Sequence, residues 1–270
     1  GRERRGMTVG LIGAPHDANS SFVRGPALAP DIIRRVMHNG AANLTSESGV
    51  DLSAPGVLED LGNMSLADSY EGVMGVTEAL SAVIDRGLRP LTLGGDHAIS
   101  WPAVRAVHAA HGPVDILHFD AHADIYPDFD NNRYSHASPF ARIVEEGLAG
   151  RLVQVGIRTL TDVQRDMIKR HGVETHPWRG AAPLPSGLQF ERPVYISIDI
   201  DALDPAFAPG VSHHEPGGMS VGDVLAVLQS LEGNVVAADV VEYNPRRDWQ
   251  DMTAMVCVKF VKELAALLSR

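Results

Sequence analysis

Residues 118–124 read His118-Phe119-Asp120-Ala121-His122-Ala123-Asp124, directly after the apolar run Val114-Asp115-Ile116-Leu117. An interior strand that ends in alternating acidic and imidazole groups needs a reason. Residues two apart on an extended chain face the same way, so Asp120, His122 and, if the strand continues that far, Asp124 converge on one point. The stretch Tyr195–Pro205 (YISIDIDALDP) repeats the arrangement with Asp199 and Asp201, and Asp204-Pro205 makes the turn. A third strand, Pro90 to Leu93, leads into Gly94-Gly95-Asp96-His97, where glycines permit a tight turn that brings His97 to the same edge.

Four carboxylates and two imidazoles thus gather at three strand ends. Bare, the carboxylates cannot all stay ionised, because burial and like charges both raise carboxyl pKa values; divalent cations remove the conflict. A single Asp-x-Asp after a strand is commonly a turn or capping device. Three such motifs, each just past a predicted strand, point to metal. Six ligands exceed the three plus water of a catalytic zinc but suit two ions that share aspartates. An oxygen-rich shell with one histidine per ion favours Mn²⁺ over Zn²⁺, with Ni²⁺ and Co²⁺ left open by affinity order alone.

Outward from these motifs, strand-length apolar runs alternate with helical periods. Strands are expected at Thr8–Ile12, Leu91–Leu93, Val114–Phe119, Leu152–Ile157, Val194–Ile200 and Val235–Val241. Helices are expected at Asp31–Met37, Glu78–Arg86, Ser100–Ala110, Thr161–His171, Val221–Leu231 and Asp251–Leu268. The rhythm implies a mostly parallel sheet of about seven or eight strands under helices, in an open α/β sheet or a closed (β/α)₈ barrel; both place active sites beyond the strand C-termini.

With 44% hydrophobic and 21% charged residues, the 270-residue chain has the means to bury one large core, so a single domain over residues 1–270 is expected, residues 1–6 lying outside its folded part. An excess of 34 acidic over 23 basic residues argues against nucleic acid as partner and toward a small molecule, the Arg2-Glu3-Arg4-Arg5 opening notwithstanding. The lone cysteine, Cys257, rules out an internal disulfide and a Cys-based metal site and makes reducing cytoplasm the default compartment. No apolar run reaches the roughly 20 residues of a membrane span and no signal-peptide segment is visible, although Gly1 in place of Met leaves room for a removed targeting segment.

At GGDHAIS (94–100), DAHAD (120–124) and SIDIDALDPAFAPG (197–210) the chain resembles the arginase/agmatinase (ureohydrolase) family. NRYSHASPFARI (132–143), APGVSHHEPGG (208–218) and VVEYNPRRD (240–248) resemble its plant-type arginase branch. The resemblance spans nearly the whole chain and implies a three-layer α/β/α sandwich around a parallel sheet of about eight strands. It also implies two Mn²⁺ per subunit, a hydrolysis that splits a guanidino group into urea plus an amine, and a homo-oligomer, trimer or hexamer. By the same resemblance His97, Asp120, Asp124 and Asp199 hold one ion and Asp120, His122, Asp199 and Asp201 the other, Asp120 and Asp199 bridging. It gives Glu242 the guanidinium, for which a carboxylate is the natural acceptor, and His136 the proton for the leaving amine, a task suited to imidazole near neutral pH. Two divalent ions against four aspartates, with metal-activated water as nucleophile for the guanidinium carbon, fit that reaction independently.

His118 reads as a hydrogen-bonded core histidine, Asp96 as a partner behind the ligands, and His213-His214-Glu215 as cavity rim, since adjacent side chains diverge. Ser138-Pro139 reads as the N-cap and first residue of a short helix. The loop after the metal strand offers Asn131, Asn132, Ser135 and Ser138 as donors for a substrate carboxylate. The acidic residues that follow a GLRD-like strand end in animal arginases are missing: Gly156-Ile157-Arg158 continues as Thr159-Leu160-Thr161, without an acid until Asp162. Arginine to ornithine is the favoured reaction, agmatine to putrescine or another guanidino substrate the alternative. A catalytically silent metal scaffold is the reading from a different class; it has no chemical need for His136 and Glu242. A single-zinc deacetylase would leave His97 and the Asp199/Asp201 pair without work.

Overall fold

The computed structural model describes residues 6–180 and 183–270; the expectations for residues 1–5, and for 181–182 within the Gly180–Gly187 loop, lie outside the described residues. The six anticipated strands form β1 (Val9–Ala14), β3 (Arg89–Gly94), β4 (Val114–Phe119), β5 (Ala149–Val155), β7 (Val194–Asp199) and β8 (Val235–Val241). Sequence periodicity missed two more, β2 (Leu58–Asn63) and β6 (Glu174–His176). All eight join one sheet in the order β2-β1-β3-β8-β7-β4-β5-β6, every pair parallel. The sheet is open, with β2 and β6 as its edges, so the barrel reading falls.

Interior strands of a parallel sheet are covered on both sides, which is why β1, β4, β7 and β8 are buried at every position. Their side chains alternate between two cores. Val9, Leu11, Leu91, Leu93, Leu117, Phe119, Ile196 and Ile198 pack under α1 (Ala29–Met37), α6 (Val221–Ser230) and α7 (Met252–Leu268). Ile12, Ala14, Ile116, Tyr195 and Ala237 pack under α2 (Gly75–Asp85), α3 (Ser100–His111), α4 (Pro139–Glu145) and α5 (Asp162–His171). Each fully buried Leu, Ile or Phe contributes on the order of 1.5–3 kcal/mol to this three-layer sandwich. No helix among the described residues is long and apolar enough to cross a membrane.

Strand order places the site. The four central neighbours β3, β8, β7 and β4 are where the sequential order of the sheet breaks. In open α/β sheets the crevice beyond the carboxyl ends at such a break is the ordinary ligand position. His97, Glu242, Asp199 and Asp120 all sit at or just past these four ends.

Candidate metal centre

The expected extension of β4 through Asp124 does not occur: the strand stops at Phe119, and Asp124 takes a left-handed backbone, φ 46°. Turns, not strand alternation, gather the ligands. Asp120 Oδ1 accepts from the backbone N–H of His122 at 2.6 Å, and Asp199 Oδ1 from that of Asp201 at 2.8 Å, folding Ile200–Ala202 into a 3₁₀ turn. Asp96 Oδ1 does the same for Ala98 at 3.1 Å. These are Asx turns, and they leave Oδ2 of Asp120 and Asp199 aimed at the cluster. The turn reading of Asp-x-Asp thus holds for one oxygen of each aspartate, and the other faces the cluster.

Glycine in the Gly94-Gly95 pair serves close approach and not a positive φ. A Cβ on Gly95 would lie 1.9 Å from the carbonyl oxygen of His16 and 2.8 Å from that of Ala14. The loop after β1 packs against this spot, with Asp96 N–H donating to His16 O at 2.9 Å and Asn19 N–H to Asp96 Oδ2 at 3.1 Å.

His97 is fully buried, and its Nδ1 faces Asp124 Oδ2 at 3.0 Å, Asp199 Oδ2 at 3.1 Å and Asp120 Oδ2 at 3.2 Å, without a hydrogen bond of its own among the described residues. A chain of donors fixes its tautomer. Nε2–H donates to Ser197 Oγ at 2.9 Å, Ser197 Oγ–H donates to Asp239 Oδ1 at 2.7 Å, and Ser100 and Tyr195 hydroxyls hold Asp239 Oδ2. Nδ1 thus keeps its lone pair, turned toward three carboxylates, which is the donor set a cation requires. Sequence reading overlooked Ser197 and Asp239; an aspartate inside the apolar run Val235–Val241 was the available signal.

The second grouping is Asp120, His122 and Asp201, with His122 Nδ1 3.1 Å from Asp201 Oδ2 and 3.5 Å from Asp120 Oδ1. Asp120 is common to both groupings. Asp199 stands in the first grouping, and its Oδ1 accepts from Asp201 N–H at 2.8 Å. His118, which also lies beside His97 and Asp120, is a hydrogen-bonding partner: Gln154 Nε2 donates to its Nδ1 at 3.1 Å, and its own Nε2–H donates to Asp120 Oδ2 at 2.8 Å.

Charge at the cluster is unbalanced. Burial, reinforced by the charges of Asp201 and Asp120, pushes the Asp199 carboxyl far above its ordinary range. Burial likewise lifts Asp201 to about 6, although His122 opposes it. Burial would raise Asp120 too, but bonds from His118, His122 and His97 hold it well below the usual value. Cations between these groups would remove the repulsion.

His136 and Glu242 meet directly: His136 Nδ1–H donates to Glu242 Oε1 at 2.7 Å, and its Nε2–H to Ser21 Oγ at 2.8 Å. Although burial opposes it, the Glu242 charge raises the His136 imidazolium to about 9. Burial alone would raise Glu242, yet His136 and the backbone N–H of His97, 2.8 Å from Oε1, bring it below its ordinary value. Glu242 turns back over the site through a left-handed backbone, φ 66°, and no donor among the described residues reaches its Oε2.

A cleft of about 270 Å³ opens over His122, Asp124 and His136, walled by Ser21, Phe129, Thr159, Thr161, Gln164, His213 and Glu215. His213 occupies the rim expected of it, its ring 5.2 Å from that of His136. None of Asn131, Asn132, Ser135 and Ser138 lines the cleft. Asn131 is exposed with φ 58°, Asn132 donates to Asn19 Oδ1 at 2.9 Å, and Ser135 Oγ accepts from Ala137 N–H at 3.2 Å. Ser138 stands at the α4 N-cap position, but its buried hydroxyl makes no capping bond. Ser21, from the loop after β1, carried no motif and went unnoticed.

The family model described as "Arginase family" matches residues 7–266. The chain belongs to the arginase family. It is 48% identical to the mitochondrial arginase of Medicago truncatula over 97% of this chain and 82% of that protein. It is 50% identical to chloroplastic/mitochondrial arginase 2 of Arabidopsis thaliana over 97% and 81%. The solved arginase of Medicago truncatula superposes with a TM-score of 0.91 at 47% identity, covering 99% of this chain and 89% of that one. Proclavaminate amidinohydrolase of Streptomyces clavuligerus superposes with a TM-score of 0.83 at 31% identity over 100% and 94%. Arginase-family enzymes are binuclear metal amidinohydrolases, and the buried His/Asp cluster of this chain supplies donors for such a centre.

Proposed function

We propose that this protein is an arginase, hydrolysing L-arginine to L-ornithine and urea with two Mn²⁺ per subunit. His97, Asp120, Asp124 and Asp199 would hold one ion and Asp120, His122, Asp199 and Asp201 the other, with Asp120 and Asp199 shared. The single observation that carries the reading is His97 Nδ1, buried, unpartnered and ringed by three carboxylate oxygens within 3.2 Å. Oxygen-dominated shells favour Mn²⁺. When bound, the pair of divalent cations supplies the Lewis acidity that lets water lose a proton near neutral pH.

The chain's own groups do the rest. Glu242, ionised and with Oε2 without a donor, accepts the planar guanidinium fork. His136, protonated at neutral pH, delivers a proton to the leaving amine. The cleft above admits a narrow aliphatic tail. Arginine is favoured over agmatine because relatives at 48–50% identity over nearly the full chain are named arginase. Urea and ornithine release by Mn²⁺-loaded protein, with arginine and agmatine in parallel, tests this. A higher kcat/KM for arginine supports it, and turnover of agmatine alone would replace it with an agmatinase.

The reading includes a homo-oligomer, trimer or hexamer, for which sedimentation velocity is the check. A reducing compartment is supported by the single cysteine, buried Cys257. Cytoplasm is its simplest form, while relatives named mitochondrial or chloroplastic make organelle import the competing outcome of cell fractionation.

A further inference from the structure

We propose that Glu215 binds the ammonium group at the far end of the substrate, an inference that rests on the guanidino-hydrolase reading. Arginine and agmatine both end in a carbon that bears an ammonium, and an ammonium entering a cleft needs an anionic acceptor. On the wall formed by the loop after β5 and the first turn of α5, the cleft offers only uncharged Thr159, Thr161 and Gln164, and Gln164 Oε1 already accepts from Thr161 N–H at 3.0 Å. Among the described residues that line the cleft, Glu215 is the carboxylate outside the metal groupings.

Glu215 and His122 line the same cleft. Glu215 Oε2 stands 4.0 Å from His122 Nε2, while His122 Nδ1 faces Asp201 Oδ2 at 3.1 Å. The backbone that carries Glu215 is fixed. Arg158 Nε and Nη2 donate to Glu215 O at 3.0 and 2.6 Å, while Arg158 Nη2 also donates to Asp201 O at 2.7 Å, tying the 211–218 loop to the end of β7. Two residues earlier on that loop, His213 also lines the cleft, with a buried Nε2 that has no partner among the described residues, a second polar atom available to the tail. A loop whose backbone is fixed before binding has less freedom to lose on capture.

The test compares wild type, Glu215→Gln and Glu215→Asp for urea release from arginine, agmatine and butylguanidine, which has no ammonium, with bound Mn²⁺ measured on each protein. The proposal expects Glu215→Gln to raise KM for arginine and agmatine ~10–100-fold, with kcat, butylguanidine kcat/KM and Mn²⁺ content unchanged and partial recovery in Glu215→Asp. Equal losses for all three substrates, or lost Mn²⁺, would assign Glu215 to steadying His122 and overturn it, as would an unchanged KM. Wild type that releases no urea from any of the three would overturn the parent reading as well, a result distinct from the others.

Discussion

At the scale of the residue, the proposed delivery of a proton to the leaving amine would depend on how Glu242 sets His136. The contact of 2.7 Å raises the imidazolium to about 9, so the acid form persists through neutral pH. His136→Asn should lower kcat for urea release ~10²–10⁴-fold with Mn²⁺ content unchanged; an unaltered kcat removes the role. The same pair is linked to stability. A folded value above the ordinary 6.5 gives a contribution present in full below that value and lost as pH rises through about 9. The Tm advantage of metal-free wild type over His136→Asn should therefore be largest at pH 6 and close by pH 10. Ser197→Ala would strip His97 Nε2–H of its acceptor and Asp239 of a donor, weakening Mn²⁺ binding ~10–100-fold in a calorimetric titration. The proposed ligands and their clustering were legible because Asp and His just past apolar runs have few reasons to be there. Ser197, Asp239 and Ser21 were not, since hydroxyls and isolated acids announce nothing until folding shows what they touch.

At the scale of the element, an Asx turn after each of three strands converts sheet order into a ligand cluster. Gly95→Ala places a Cβ where His16 O stands and should destabilise the fold by about 1–3 kcal/mol, read as a lower denaturant midpoint, while displacing His97 and reducing Mn²⁺ affinity. An unchanged midpoint would show that the loop after β1 yields freely. The buried strands were readable from the residues alone, as was α4 from Ser138-Pro139. β2 and β6 were not: LEDLGN and ETH are partly exposed edge segments without the apolar run that marks an interior strand. The four hydrogen-bonding residues of the 131–138 segment were sound donors by type, but local turns consume or bury most of them.

At the scale of the whole molecule, a parallel sheet assembled from distant segments carries its acidic groups to one crevice, and the fold is stabilised further by whatever neutralises them. Mn²⁺ at about 100 times its Kd should add ~2.7 kcal/mol, on the order of 5–10 °C in Tm; a chelator should reverse it, and a Tm indifferent to both would contradict a cation within the cluster. Open sheet against closed barrel could not be decided from periodicity, because both repeat strand and helix; strand order decides it, and only long-range pairing sets strand order.

The most direct test is metal stoichiometry coupled to turnover: Mn²⁺ per chain by elemental analysis, and urea release from arginine, for wild type and His122→Ala. The account predicts two ions and rapid urea release in wild type, and one ion with urea release nearly abolished in His122→Ala. One ion in wild type, or full urea release from a His122→Ala protein that holds one, would contradict it.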